Sequence, residues 1–269
     1  MPEGDVLLLT AERLGAALRG SELVRAELRW PSAAGVDLVG RALTEAAAYG
    51  KHVLLRFDDG RTLHTHLRMD GSWRVHRTGS RDAAARSPAV RAVLATRTWT
   101  CVGWRLGMLD VLRTRDEPRL LAHLGPDVLA PGFPSRLGEG VSRLRAEPGR
   151  AVCAALLDQR TVAGLGTIWT AEALFACRVW PWTPAGDLDD QALATLLSTA
   201  RRLMSRSVAV ARRAGFGAVE HAVHGRHRRP CRRCATPVAL GSTSGPGRRP
   251  DGPERVVYWC PSCQRAPAA

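Results

Sequence analysis

Four of the seven cysteines fall into two C-x-x-C pairs, Cys231/Cys234 and Cys260/Cys263, near the end of a 269-residue chain. Each pair sets two thiolates on one tight turn. Two such turns brought together by a hairpin supply a tetrahedral four-sulfur site of the kind that holds Zn²⁺. Two disulfides or a redox-active C-x-x-C would use the same residues, but the sequence reads as having neither a secretory leader nor a thioredoxin-like βαβ pattern. Cys101, Cys153 and Cys177 stand singly among apolar neighbours and read as small buried hydrophobes. The 25 residues between Cys234 and Cys260 are many for a zinc ribbon, and the Gly-, Pro- and Ser-rich run 241–253 reads as a flexible hairpin tip.

A second residue stands out by its rarity. The 39 basic side chains comprise 38 arginines and one lysine, Lys51. A compact ammonium with rotatable donors and an exchangeable proton does what a guanidinium does not, so Lys51 is a candidate for chemistry, against the alternative of a chance surface lysine. The net charge of +14 points to a polyanion, nucleic acid or an acidic membrane surface. Residues 201–269 hold +11 of it, with 14 arginines against Glu220, Asp251 and Glu254. The basic partner surface is therefore expected mostly in the C-terminal part.

The elements that must position these residues follow from periodicity. With 45% hydrophobic and 24% charged residues the chain is long enough to bury a core, and no apolar run approaches the roughly 20 residues of a membrane span. Residues 5–18 carry apolar positions at helical spacing and stop at Arg19-Gly20. From Glu22 to about Leu112, short β-rich segments (53–57, 62–67, 73–75, 89–94, 98–104) alternate with turns, as in an antiparallel sandwich or barrel. Residues 113–135 read as a linker. Helical patterns follow at 142–145, 151–157, 166–176 and 188–214. The expectation is an α+β chain of three modules: an N-terminal β-sandwich with a leading helix (1–112), a helical domain (136–220) and a zinc-bearing hairpin (221–269).

Four motifs occur in one order: Met1-Pro2-Glu3-Gly4, Gly50-Lys51-His52, Leu157-Asp158-Gln159 through Val162-Ala163-Gly164 to Gly166, and Gly225-Arg226 followed by the cysteine pairs with Arg255 between them. Together they resemble the formamidopyrimidine-DNA glycosylase and endonuclease VIII family of base-excision repair enzymes, over essentially the whole chain. The Pro-Glu-Gly start and the tryptophan of Met69-Asp70-Gly71-Ser72-Trp73 lean toward the endonuclease VIII branch and its actinobacterial members. The resemblance implies a helix-two-turn-helix domain at 136–220, one structural zinc per chain, damaged double-stranded DNA as partner, a monomer, and a bacterial cytoplasmic, nucleoid-associated location.

It also implies a bifunctional glycosylase and abasic-site lyase that removes oxidised bases, with pyrimidines favoured, by β,δ-elimination. Removal of Met1 would expose Pro2 as a secondary amine, and an α-amine titrates near roughly pH 7.7–8.0. That amine could attack the sugar C1′, expel the base and leave an iminium. Glu3 would serve as general acid and base. Lys51 would reach the ribose or phosphate, and Arg255, five residues before Cys260, would clamp phosphates beside an extruded nucleotide. Read without the other motifs, Pro2-Glu3 is an ordinary helix start.

The turn Ala163–Gly166 would aim free helix amides at a DNA phosphate. Thr167 stands where the family usually has asparagine, and Asp5 where glutamate is common. Arg68, Met69 and Asp70 resemble the loop that fills the duplex, Met69 being the wedge or, equally, a core residue; Arg226 joins the DNA-binding set. His64, His66 and His123 read as packing or hydrogen-bonding residues, and Tyr258 and Trp259 as core of the finger. Two alternatives remain: a plain abasic-site lyase, and an inactive zinc-containing binder of damaged DNA.

Overall fold

The computed structural model describes residues 2–215, 217–247 and 254–266, and they divide into two compact units. The first comprises Pro2 and residues 6–123, the second Glu3–Asp5 and residues 124–266. Helix α1, Gly4–Leu18, buries Leu7, Ala11, Leu14 and Leu18, a stripe at spacings of four, three and four. It ends where expected, with Gly20 at φ 71°.

The rest of the first unit is two antiparallel sheets. One orders β2 (Leu43–Tyr49), β3 (His52–Phe57), β4 (Arg61–His66) and β8 (Met108–Arg113) side by side; the other orders β1 (Arg25–Leu28), β6 (Val90–Ala95), β7 (Trp99–Trp104) and β5 (Ser72–Arg77). Val53, Leu55, Phe57 and Leu63 from the first sheet share one apolar core with Ala92, Leu94 and Cys101 from the second and with the α1 stripe. Because side chains alternate along a strand, the same registers send His52, Leu54 and Arg56, with Thr62, His64 and His66, to the opposite face of the first sheet. Strands β1, β2 and β8 were not among the segments legible as strands.

The short helix α2, Glu117–Leu121, closes this opposite face. Arg56 Nε and Nη2 donate to the Glu117 carboxylate at 2.9 and 2.7 Å, and Thr62 Oγ1 donates to it as well. Helix α2 and Glu117 lie within the stretch expected to be linker.

In the second unit, α3 (Leu137–Arg145), α4 (Val152–Leu157), α5 (Thr167–Ala176) and α6 (Asp190–Ala214) bury Leu144, Leu156, Leu174, Leu196 and Leu197 in one core. Asp189 caps α6 by accepting from Ala192 N at 2.6 Å, and Gly215 ends it at φ 83°. Strands β9 (Ala239–Ser242), β10 (Gly245–Pro246) and β11 (Val256–Trp259) form the C-terminal hairpin sheet. Of the run expected to be the hairpin tip, 248–253 lies outside the described residues. Ala171 and Phe175 of α5 pack directly on Val223, Val238, Cys231 and Cys260, so the cysteine turns rest on the helical core.

The Arg56–Glu117 pair sets a test of the first unit. Burial opposes the Glu117 charge, but the bonds from Arg56 and Thr62 prevail and hold its carboxyl below the ordinary value of 4.5. A depressed folded-state pKa contributes stability above about pH 4.5 that is lost as pH falls through the folded value. Glu117→Ala should cost about 2–3 kcal/mol at neutral pH, less than a fully buried pair because Arg56 keeps 25% of its side chain exposed. Denaturant melts at pH 7 and pH 4 should show the gap between variant and parent narrowing at the lower pH; a constant gap overturns the assignment.

Candidate active site and metal centre

In the second unit the residue that organises the most structure is Glu3, only 1% exposed. Its carboxylate accepts from the backbone amides of Ile168 at 2.7 Å, Gly166 at 2.9 Å and Trp169 at 3.2 Å. These are the orphan amides of the first turn of α5, capped from 163 or more residues away in sequence. A Cβ on Gly166 would lie 2.4 Å from Glu3 Cδ, so this glycine is required by the approach of the carboxylate itself. The glycine turn before α5 suggests amides free for a phosphate. Three of them are instead occupied by Glu3, which leaves Thr167, half-buried as the first residue of α5, as the polar side chain at that helix start.

The turn leading into α5 is held by its own side chains. Gln159 Nε2 donates to Leu157 O and Leu165 O, while Gln159 Oε1 accepts from Gly164 N at 3.0 Å. Asp158 accepts from Arg160, whose bonds pull its carboxyl down to about 2 against the opposing effect of burial. Gly4 N donates to Gly164 O at 2.9 Å, and the shortened Asp5 is met by Ser207 Oγ at 2.7 Å. Ser207 carried no sequence signal, being 202 residues from its partner.

In the first unit Pro2 is half-buried, and Met1 lies outside the described residues. Lys51 occupies the two-residue turn between β2 and β3, where Gly50 adopts φ 55° and Tyr49 pairs with His52. The lysine is 8% exposed, against the alternative of a chance surface residue. Beside it His52 Nδ1 and His64 Nε2 lie 2.8 Å apart and His66 packs edge-on against His52. Burial, then the neighbouring His64, His66, His123 and Lys51, push His52 down to about 3; burial and Lys51 bring His66 to about 4. These rings are neutral at physiological pH, in keeping with the packing and hydrogen-bonding role read for His64 and His66. His52 escaped that reading.

Arg68, Met69 and Asp70 form an exposed turn closed by Gly71 N donating to Leu67 O at 2.9 Å. Arg68 is held at φ 50°, a left-handed conformation unusual for a side chain of its size, and its amide donates to His66 Nδ1 at 2.9 Å. Met69 is 57% exposed, which separates it from the core. An apolar side chain lifted into solvent on a strained turn is available to insert elsewhere.

The four sulfurs of Cys231, Cys234, Cys260 and Cys263 lie within 4.8 Å of one another. A tetrahedral site with Zn–S bonds of about 2.3 Å has S···S edges of about 3.8 Å, so the cluster suits a single metal ion. Arg255 is exposed on the approach to β11, and among the described residues its guanidinium meets no acceptor. Arg226 is half-buried, with Nη2 donating to Pro230 O at 2.9 Å. Trp259 packs against Trp180 and Trp182 at 5.7 and 4.7 Å between ring centres, and Tyr258 lies edge-on to His224, as expected of core residues. Glu172 was not foreseen: buried on α5, it accepts from the amides of Ala222, Val223 and His224 at 2.8–2.9 Å and so ties the segment entering the cysteine hairpin to that helix.

Residues 1–102 match the formamidopyrimidine-DNA glycosylase N-terminal domain and residues 124–215 the formamidopyrimidine-DNA glycosylase H2TH domain. A probable endonuclease 8 2 of Streptomyces coelicolor is 44% identical over 271 residues, which span 100% of this chain and 95% of that protein. A DNA-(apurinic or apyrimidinic site) lyase Nei2 of Mycolicibacterium smegmatis is 36% identical, spanning 99% of this chain and 100% of the relative. Among solved structures, the MutM (Fpg) protein of Thermus thermophilus aligns with a TM-score of 0.75 at 27% identity over 98% of both chains. The Fpg of Lactococcus lactis, bound to DNA containing an abasic site, shares the fold with a TM-score of 0.81 at 18% identity over 98% of this chain and 100% of that one.

The Glu172 clasp yields a local prediction. Glu172→Ala strands three amides and should cost about 2 kcal/mol, roughly thirtyfold in local opening. Hydrogen exchange at Ala222, Val223 and His224 reads it directly, and undiminished protection at Val223 would show the clasp to be dispensable.

Proposed function

Because the chain belongs to the formamidopyrimidine-DNA glycosylase and endonuclease VIII family, we propose that it is a bifunctional DNA glycosylase and abasic-site lyase of base-excision repair, acting on oxidised pyrimidines in double-stranded DNA. The observation that carries this reading is the fixed Glu3 carboxylate, buried at the start of α5 and adjacent in sequence to Pro2. With Met1 removed, the Pro2 nitrogen attacks C1′, the C1′–N bond to the base breaks as the base takes a proton, and the C1′–O4′ bond then opens, O4′ taking a proton, to leave the iminium. Glu3 delivers and recovers protons at the sugar. The resulting iminium acidifies C2′–H; loss of that proton expels the 3′ phosphate, and a second elimination expels the 5′ phosphate.

Lys51 is assigned to the sugar or its phosphate as a mobile cation among neutral imidazoles. Arg255 and Arg226 are assigned to phosphates, Thr167 to the phosphate at the α5 start, and Arg68, Met69 and Asp70 to the vacated base stack. Cys231, Cys234, Cys260 and Cys263 would hold Zn²⁺, whose part would be structural, fixing the hairpin that carries Arg255. A second reading, abasic-site lyase activity alone, starts from the M. smegmatis relative, a DNA-(apurinic or apyrimidinic site) lyase.

Borohydride trapping separates the two. Trapping on duplexes carrying an oxidised pyrimidine as well as on abasic duplexes supports the bifunctional enzyme; trapping on abasic DNA alone leaves the lyase. Pro2→Gly should retain some trapping because an amine remains, whereas an uncleaved N-terminal extension should abolish it. Full activity with the extension intact would refute the nucleophile.

Lys51→Arg should lower single-turnover excision by roughly 10²-fold with little change in binding to abasic DNA. Arg255→Ala should weaken binding to every lesion and flatten the slope of log affinity against log salt by about one unit. Metal analysis should return one zinc per chain, and a metal-free protein with four reactive thiols in the tail would contradict the zinc assignment.

A further inference from the structure

The outward face of the second sheet carries a covered cavity that the chemistry above does not use. Trp73, Val75, Ala92, Leu94 and Cys101 point into the sandwich core, so the same strands send Arg74, His76, Val93, Val102 and Trp104 to the other side. Residues 78–89 fold back over this face. Ala85 packs there with Val90, Val93 and Val102 against Trp104, and β1 pins the covering segment from its flank, Arg25 Nη1 donating to Ala83 O at 3.2 Å and Arg29 Nη1 to Ala85 O at 3.0 Å. Glu27 sits between those two arginines and fixes both.

What remains between cover and sheet is a cavity of about 650 Å³, within the roughly 300–1,000 Å³ of small-molecule sites. Arg74, Arg81 and Arg86 line it. Among the described residues, the guanidinium groups of Arg81 and Arg86 have no acceptor, and Arg74 has as partner only the ring of Trp104, 5.0 Å from its centre. The one acid in the lining, Asp82, lies 4.0 Å from His76 Nδ1. Three arginines thus face one carboxylate around an indole. Arginine forks match phosphate oxygens, and an indole beside a guanidinium stacks a nucleobase.

We propose that this cavity is a second, non-catalytic site that takes one nucleotide unit, its phosphate among Arg74, Arg81 and Arg86 and its base on Trp104. It is separate from Lys51, which stands in a hairpin of the other sheet. The same chemistry is offered by a free nucleotide and by an unpaired nucleotide of a strand.

Calorimetric titration of the full chain with dAMP, inorganic phosphate and (dA)6 tests the site independently of any repair activity. dAMP should bind at least tenfold more tightly than inorganic phosphate. Arg81→Gln/Arg86→Gln, at two exposed side chains, should weaken dAMP at least tenfold. Trp104→Leu should bring dAMP down to the affinity of inorganic phosphate, while Trp104→Phe retains the preference; should the leucine variant fail to fold, the other two carry the test. A parallel loss of (dA)6 binding assigns the site to a strand, and unchanged (dA)6 binding assigns it to free nucleotides. Undiminished dAMP binding in the double variant, or no preference for dAMP over phosphate in the parent, overturns the proposal.

Discussion

The structure turns on a carboxylate at position 3 that caps a helix beginning at position 167. The neighbouring contacts gather around it: Gly4 lies against Gly164, Asp5 meets Ser207, and Gly166 can carry no side chain. Backbone amides are rigid donors, so three of them converging on one carboxylate fix its position more tightly than flexible side chains would. The other end of α5 bears on the cysteine hairpin through Ala171, Phe175 and Glu172. One ten-residue helix therefore sets the reference for both the chain start and the cysteine turns.

The excess of arginine is less free than the net charge suggests. Arg25, Arg29, Arg143, Arg145 and Arg201 all donate to backbone carbonyls in distant segments, stitching covering loops and turns to the elements beneath. In this chain the guanidinium replaces much of what apolar packing does elsewhere for irregular backbone. The cations without such duties are what distinguish a binding surface from a structural one, and they could not be sorted by counting charges.

What could be read in the sequence was whatever depends on local spacing: the α1 stripe, the β3–β4 and β6–β7 hairpins, the helices from α3 onward and the cysteine turns. What could not be read depends on distant partners. Strand β2, Leu-Thr-Glu-Ala-Ala-Ala-Tyr, has the composition of a helix and is extended because β3 pairs with it along its length. Glu117 lies in a segment rich in Arg, Pro and Asp that looks like linker, and is buried against Arg56 and Thr62 from distant strands. The use of α5's amides by Glu3 was equally hidden, since a glycine turn before a helix looks the same whether its amides await a ligand or are already taken.

The trio His52, His64 and His66 is assembled by strand register, which makes His52 a neighbour of residues 12 and 14 positions away. Its members stay uncharged because they are enclosed and lie beside one another and a lysine. His52 and His66, close to Lys51, therefore keep one charge state from weakly acidic to weakly alkaline solution. Any inflection near neutrality in a pH–rate profile must then be sought in groups other than His52 and His66.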